Sequence, residues 1–380
     1  MVSLKLYNQS SLGDLHLPAL YQYLSDYARS LISLEANTFI SNVNTQMNIL
    51  QVNEHFFPIT INEAEYDNAY VCSPYTAYIS YGKQELWKLH NKPLEKALSL
   101  VLKSLDPIFK ASGINKVICL NNWLLSTNLY PNWNGDEGIP EILEFLTSTF
   151  PHHAILFRSL NEYTNRELMQ NLKKNDFKLI PSREIFIFDK ALKKYIRKRN
   201  TVIDLKFLNK TPYYVVGHED ISVNDYGAIV RLYEKLYFEK YSDCSPHFTE
   251  AFIRLCHEKK LLKMQGLRNR DGHLEGIIGS FTRNGVLATP LVGYNTDQPR
   301  SEGLFRLITA LALKEAFENN YVFNISAGVS QFKRWRGAVG FIEYNAVFDQ
   351  HLPFKQRAAW NAIHFLMKNI GIPLLHKYQF

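Results

Sequence analysis

Asn284-Gly-Val-Leu-Ala-Thr-Pro-Leu-Val-Gly-Tyr294, running on into Asn295-Thr-Asp-Gln-Pro-Arg-Ser-Glu-Gly-Leu-Phe305, decides the fold of this chain. Asn-Gly is the strongest short hairpin signal, because a two-residue turn between strands needs positive φ at both central positions. The apolar run from Val286 to Tyr294 therefore predicts a strand. Pro299 suits the first turn of a helix, which Leu304, Leu307, Ile308, Leu311 and Ala312 continue at helical spacing until Asn319-Asn320. Free amides at a helix start carry partial positive charge. Gln298, Arg300 and Ser301 add donors there, and Gly303 leaves room at the backbone, so the spacing predicts a site for a pyrophosphate.

Working outward, Tyr321-Val-Phe-Asn-Ile-Ser326 predicts a strand, Gln331 to Gly337 a short basic helix, and Phe341 to Phe348 an alternating strand that leads to Asp349-Gln-His351. Upstream, Tyr213 to Val216 starts a sheet, and Asp225–Tyr241 and Pro246–Lys259 read as helices. Leu261 to Leu267 turns at Asn269-Arg-Asp-Gly272 into Gly276 to Phe281. The first half has a similar layout: Lys116–Leu125 a strand, Ile139–Phe150 a helix, His153–Arg158 a strand, Asn165–Lys174 a helix and Glu184–Phe188 a strand. Strands alternating with helices in each half predict α/β sheets.

Arg300-x-x-Gly303-x-Phe305 between a strand and a helix resembles the phosphate loop of the GNAT superfamily, Gln/Arg-x-x-Gly-x-Gly/Ala, with Phe305 departing from the small last residue. Phe332-Lys333-x-x-x-Gly337 is similar to the Fem-like and BioF-like branch, in which two such modules share one chain. The resemblance implies an α/β fold of two tandem GNAT-like modules, each a mixed, mostly antiparallel sheet flanked by helices. Residues 1–190 would form a degenerate, substrate-shaping module, 191–210 a basic linker helix, and 211–380 the thioester-binding module. It also implies an N-acyltransferase that moves an acyl group from acyl-CoA or an acyl carrier protein to an amine: an amino acid, a polyamine, a peptide side chain or a metabolite intermediate. The thioester is then a co-substrate, with no tightly bound cofactor and no metal.

In such a module the pantetheine arm enters between the fourth and fifth strands, here lined by main-chain groups of Leu291, Val292 and Gly293, with Asn324 at the edge. A tyrosine often follows the fifth strand to serve the leaving thiolate. Here Ser326, Ser330 and Lys333 are the nearby polar residues, and Lys333 is either a stabiliser of developing charge or an ordinary surface lysine. Glu343, Asp349, His351 and Glu275 are candidate bases. Glu343 on the last strand is the candidate carried forward, since a desolvated carboxylate is raised toward neutral pKa, with pairing to an arginine as the structural alternative. Tyr294 is either an acid or a packing residue.

The formal charge of +7 favours anionic partners: coenzyme A phosphates, an acidic carrier protein or a nucleic acid. The densest basic run, Lys190 to Arg199, reads as a solvated linker or a docking face. In the first half the corresponding helix start, Asn132-Trp-Asn-Gly-Asp136-Glu137-Gly138, carries carboxylates that would repel phosphate, so thioester binding falls to the second half. No apolar run spans a bilayer, and Met1 to Tyr7 lacks a signal-peptide pattern, which predicts a cytoplasmic protein. Cys72, Cys119, Cys244 and Cys256 lack metal or redox spacing and read as buried thiols. Walker, dinucleotide-fold, nucleophile-elbow and zinc-protease motifs are missing. Two alternatives stand beside acyl-CoA chemistry: Fem-like aminoacyl transfer from tRNA, and a non-catalytic binding protein on a decayed fold. Gln356 to Lys368 either closes a pocket, forms a homodimer contact or is ordinary core.

Overall fold

The computed structural model describes residues 2–18, 21–192, 194–238 and 242–378, so Lys193 of the basic run and the end of the helix expected up to Tyr241 lie outside the described residues. The first half runs through β1 (Leu4–Tyr7), α1 (Gln22–Leu34), α2 (Ala36–Phe39), β2 (Gln46–Val52), β3 (His55–Asn62), α3 (Tyr81–Glu85), α4 (Lys92–Ser112), β4 (Val117–Leu120), α5 (Ile139–Thr149), β5 (Ala154–Asn161), α6 (Arg166–Lys174) and β6 (Lys178–Phe188). The second continues with α7 (Arg199–Leu208), β7 (Tyr214–Val216), α8 (Tyr226–Tyr237), α9 (Glu250–Glu258), β8 (Lys263–Arg268), β9 (Leu274–Arg283), β10 (Val286–Tyr294), α10 (Leu304–Glu318), β11 (Val322–Asn324), α11 (Ser330–Trp335), β12 (Val339–Phe348), α12 (Phe354–Leu366) and α13 (Ile372–Tyr378). The chain divides into one compact unit of residues 1–184, 244–246 and 342–380 and a second of 185–243 and 247–341. Residues 342–380, expected with the second module, thus count with the first unit.

In the first unit the strand order is β1-β2-β3-β4-β5-β12. β1 to β4 pair antiparallel, β4 and β5 run parallel across the α5 crossover, and β12 returns antiparallel to β5. Alternation along the strands sends Ile118, Leu120, Ile155 and Phe157 to one face, under Ile142 and Leu146 of α5 and Leu168 and Leu172 of α6. Val117, Cys119, Ala154 and Leu156 face the other side, where Phe109 of α4 and Trp360 and Ile363 of α12 cover them. Gln356–Lys368 is therefore partly core of this unit through Trp360 and Ile363, while Phe365 on the same segment stays exposed.

The second unit repeats this order. β7, β8, β9 and β10 form an antiparallel meander, β10 and β11 run parallel across α10, and the end of β6 pairs antiparallel with β11. Asn284 and Gly285 form the tight hairpin turn at φ 49° and 71°. Leu304, Leu307, Ile308 and Leu311 of α10 pack with Ile278, Leu287 and Phe323 from the sheet. α8 covers the opposite side so closely that a Cβ on Gly293 would lie 2.6 Å from the Leu232 carbonyl carbon.

Two expectations are corrected. The strand expected over Lys116–Leu125 stops at Leu120, because Asn121 and Leu124 take positive φ and Asn122 turns its amide to Thr60 and the Val71 carbonyl. Instead of a continuous linker helix over 191–210, the described residues there form a 3-10 turn at Tyr195–Arg197 and then α7. α7 buries Thr201, Asp204 and Leu208, so it is part of the second unit's body. The meander β1–β3 and the α4 helix carry no motif that the sequence analysis resolved.

Candidate functional site

In the second unit β10 and β11 pair at Val286↔Val322, Leu287↔Phe323 and Ala288↔Asn324 and no further, while β10 continues beside β9 to Tyr294↔Gly276. The parallel strands therefore part beyond Ala288, and Pro290, which has no N–H to leave unpaired, stands at the opening. Leu291 and Gly293 are buried and Val292 is half-buried, Gly293 lying against the α8 backbone. Asn324 is also buried, and its Oδ1 accepts a hydrogen bond from Ser326 N at 2.9 Å, which turns the chain at the end of β11.

The helix start is a 3-10 turn over Arg300–Glu302 followed by Gly303 at φ 62° and then α10. Arg300 and Ser301 are exposed and Gln298 is half-buried. Gly303 has a different reason than the one expected: a Cβ there would sit 2.6 Å from the Phe207 ring, so glycine is required by α7 as well as by its φ. Phe305, the departure from the GNAT pattern, bridges two aromatic rings, with centroids 5.9 Å from Tyr294 and 4.8 Å from Phe332. Tyr294 is thus a packing residue at the mouth of the gap, whatever else its hydroxyl does.

Behind this helix start Asp204 of α7, 1% exposed, accepts from Arg306 Nε at 2.7 Å and from Arg336 Nε at 2.6 Å. Arg336 also stacks 3.4 Å over the Phe332 centroid. One carboxylate therefore ties α7 to the first turn of α10 and to the end of α11. Sequence analysis had no signal for it, because the three residues are far apart in the chain.

Lys333 is 2% exposed and is not a surface lysine. Its ammonium donates to the carbonyls of Ile325 (3.0 Å), Ser326 (3.0 Å) and Ala327 (2.7 Å). An ammonium has three N–H donors, so the charge is committed to holding the segment after β11. Stabilisation of a thioester carbonyl by Lys333 has no geometric support.

The candidate bases separate by their partners. Glu343, in the first unit, is 3% exposed and is held by Arg183 through Nε at 2.8 Å and a second nitrogen at 3.3 Å. Burial pulls the Arg183 guanidinium down, but Glu343, Tyr70 and Tyr81 outweigh this and leave it above the ordinary arginine value. Arg183 takes up both carboxylate oxygens, so Glu343 fits the arginine-pairing reading. Asp349 is held by Lys178 at 2.6 Å. His351 contacts the His153 carbonyl at 2.9 Å, and burial lowers its pKa. Glu275 differs. It is 6% exposed and accepts from the amides of Asn269 (3.1 Å) and Asn295 (2.8 Å), and among the described residues no cation lies within ion-pair distance of it. Asn295 N also bonds to the Glu275 carbonyl, which sets this residue at the end of β10. Tyr213 nearby is pushed up to about 12, by burial first and then by Glu302 and Glu275.

In the first unit the corresponding helix start is closed by its own polar groups: Asp136 accepts from Asn171 at 2.5 Å, and Gly138 lies against Val52. The four cysteines are buried, and burial pushes Cys119 up to about 11, which leaves it a neutral thiol. Among the described residues no helix is long and apolar enough to cross a membrane, and no group of acidic, His and Cys residues has the makings of a metal site.

No family model matches the sequence, and no curated protein matches it. Solved structures do show a likeness. The C-terminal domain of a putative lysylphosphatidylglycerol synthetase from Agrobacterium fabrum is 13% identical over 61% of this chain and 78% of that one, with a TM-score of 0.45. FemX is 10% identical over 61% and 80%, with a TM-score of 0.44. A tandem GNAT protein from the clavulanic acid biosynthesis pathway is 9% identical over 91% and 98%, with a TM-score of 0.40. At these scores the likeness is one of general chain course. The class defined by the chain itself is an α/β protein of two units that share one strand order, with a parallel pair at the centre of each.

Proposed function

We propose that the chain is an N-acyltransferase whose second unit takes the thioester donor, coenzyme A or an acyl carrier protein, and whose acceptor is an amine. The observation that carries this is the parallel pair β10/β11, which closes over three registered pairs and then parts beside the start of α10. Strand edges no longer paired with each other there offer amide partners to a pantetheine arm, while the first amides of α10 and the Arg300 guanidinium offer a positive seat for its phosphates. In the transfer, the amine nitrogen attacks the thioester carbonyl carbon, the C–S bond breaks, and the sulfur leaves as a thiolate. Glu275 is the residue proposed to take the amine's proton, because its carboxylate is buried and faced by neutral amides. Tyr294 is proposed to return a proton to the thiolate.

Thermal unfolding with coenzyme A and with acetyl-, octanoyl- and palmitoyl-coenzyme A, in the native chain and in Arg300→Glu, tests the donor. Ligand at a hundred times its Kd stabilises by about 2.7 kcal/mol, so a rise in Tm that the variant loses is the expected result. Equal shifts in both proteins, or none in either, contradict a thioester seat at Arg300. Fem-like transfer from tRNA is the second reading, favoured by the exposed Lys194, Arg197, Lys198 and Arg199. It predicts tRNA binding that weakens steeply with salt.

A further inference from the structure

β5 holds a charged group that nothing above has used. Arg158 stands one residue beyond the last parallel pair, Leu120↔Phe157, and is 8% exposed. The register against β12 shifts here: Tyr344 faces Leu160 and Ala346 faces Phe157, so Arg158 and Ser159 together oppose Asn345. Ser159 has φ 62°, a conformation costly for a residue with a Cβ. Such two-against-one bulges re-aim side chains, and they gather at functional sites.

Among the described residues the Arg158 side chain makes one hydrogen bond, from a terminal nitrogen to Asn122 Oδ1 at 3.1 Å, and no carboxylate lies within ion-pair distance. Glu343 belongs to the same unit and bears on the same tyrosines, but Arg183 holds both of its oxygens. Tyr78, 9% exposed, accepts from Asn345 Nδ2 at 2.7 Å, and its own hydroxyl proton has no acceptor among the described residues. Burial pushes this hydroxyl up, with Asn345 and then Arg158 acting against the rise. Tyr70 is likewise raised by burial, with Arg183 and Arg158 opposing. Both tyrosines are thus neutral donors at neutral pH.

The Arg158 guanidinium has one neutral partner and donors left over, and an anion is the ligand that satisfies them best. Arg158, with no carboxylate at ion-pair distance, and Tyr78, whose hydroxyl proton has no acceptor among the described residues, together fit a monoanion. A planar carboxylate matches the guanidinium fork, whereas a phosphate dianion would bring excess charge beside Glu343. We infer that Arg158 and Tyr78 bind the carboxylate of a small-molecule ligand in the first unit. The simplest ligand of that class is a free amino acid, anchored by its carboxylate.

The test needs no acyl donor, so it stands apart from the coenzyme A experiment. Calorimetric titration of the full chain with glycine, L-alanine, L-glutamate and L-lysine is compared with the matching α-carboxamides and with inorganic phosphate. At least one acid is expected to bind about tenfold or more tightly than its amide, the loss that follows from removing a charge-assisted bond. Arg158→Gln should abolish the acid's advantage, and Arg158→Lys should keep part of it. Should Arg158→Gln fail to fold, the acid-to-amide ratio in the native chain and in Arg158→Lys decides, together with Tyr78→Phe, which should narrow that ratio. Acid and amide within twofold of each other, no binding by any acid, tighter binding of phosphate, or an unchanged ratio in Arg158→Gln would overturn the inference.

Discussion

Arg158-Ser159 in the first unit and Ile325-Ser326 in the second occupy the same place in a repeated topology. Each pair follows the last parallel contact of its central strands, each opposes one residue of the returning strand, and the serines have φ 62° and 61°. The backbone device is the same and the side chains are opposite in character. In the second unit Lys333 takes up the carbonyls after β11 and Phe305 packs between Tyr294 and Phe332, so the polar backbone of the gap remains the feature on offer. In the first, polar side chains crowd the equivalent place and the helix start is closed by carboxylate and amide. On the two proposals made above, one topology would serve two kinds of recognition: main-chain binding of an extended arm, and side-chain binding of a charged group.

The largest expected effect separates chemistry from packing. Glu275→Gln should lower turnover by about 10²- to 10⁴-fold with little change in Tm, as removal of a general base does. Glu343→Gln should instead lower stability by leaving Arg183 buried without its partner. If Glu343→Gln abolishes turnover in a fully folded protein while Glu275→Gln does not, the roles assigned to the two carboxylates are reversed. Next comes Asp204→Ala, which strands two guanidinium groups and should cost about 3–5 kcal/mol in denaturant unfolding, the range for breaking a buried ion pair. Glu343→Ala should cost less, because Arg183 is 22% exposed whereas Arg336 is 6% exposed.

Lys333→Met should lower stability by about 1–3 kcal/mol through unsatisfied carbonyls, with the rate of the chemical step changed far less than by Glu275→Gln. A large loss of turnover at unchanged stability would return Lys333 to the chemistry. The smallest effect is the sharpest on the repeat itself. Ser326→Gly should stabilise by about 1 kcal/mol, because glycine adopts positive φ without strain. Ser159→Gly should gain less, since Ser159 Oγ accepts from Asn128 N at 3.0 Å and that bond is lost.

The second unit was legible where local rules dominate. Asn284-Gly285 gave the hairpin, Val286–Tyr294 the strand to the residue, and Asn319 the helix stop. α10 begins later than Pro299 suggests because the chain first makes a 3-10 turn and passes through Gly303 in the left-handed region. What stayed hidden is set by long-range pairing. An arginine partner for Glu343 was foreseen but not which one, and nothing linked Asp204 to Arg306 and Arg336, although each set shares an ion pair with a buried carboxylate. Arg158 was visible only as the end of a strand, since its isolation depends on a bulge and on which partners Glu343 and Asn122 already have. The reach of β12 and of the end of β6 into units otherwise built from other parts of the chain has no sequence signature.

Amide hydrogen exchange of the full chain with and without saturating coenzyme A tests the division between the units most directly. Slower exchange confined to residues 291–307 of the second unit is the predicted result. Protection at residues 121–142 of the first unit, with none over 291–307, would contradict it.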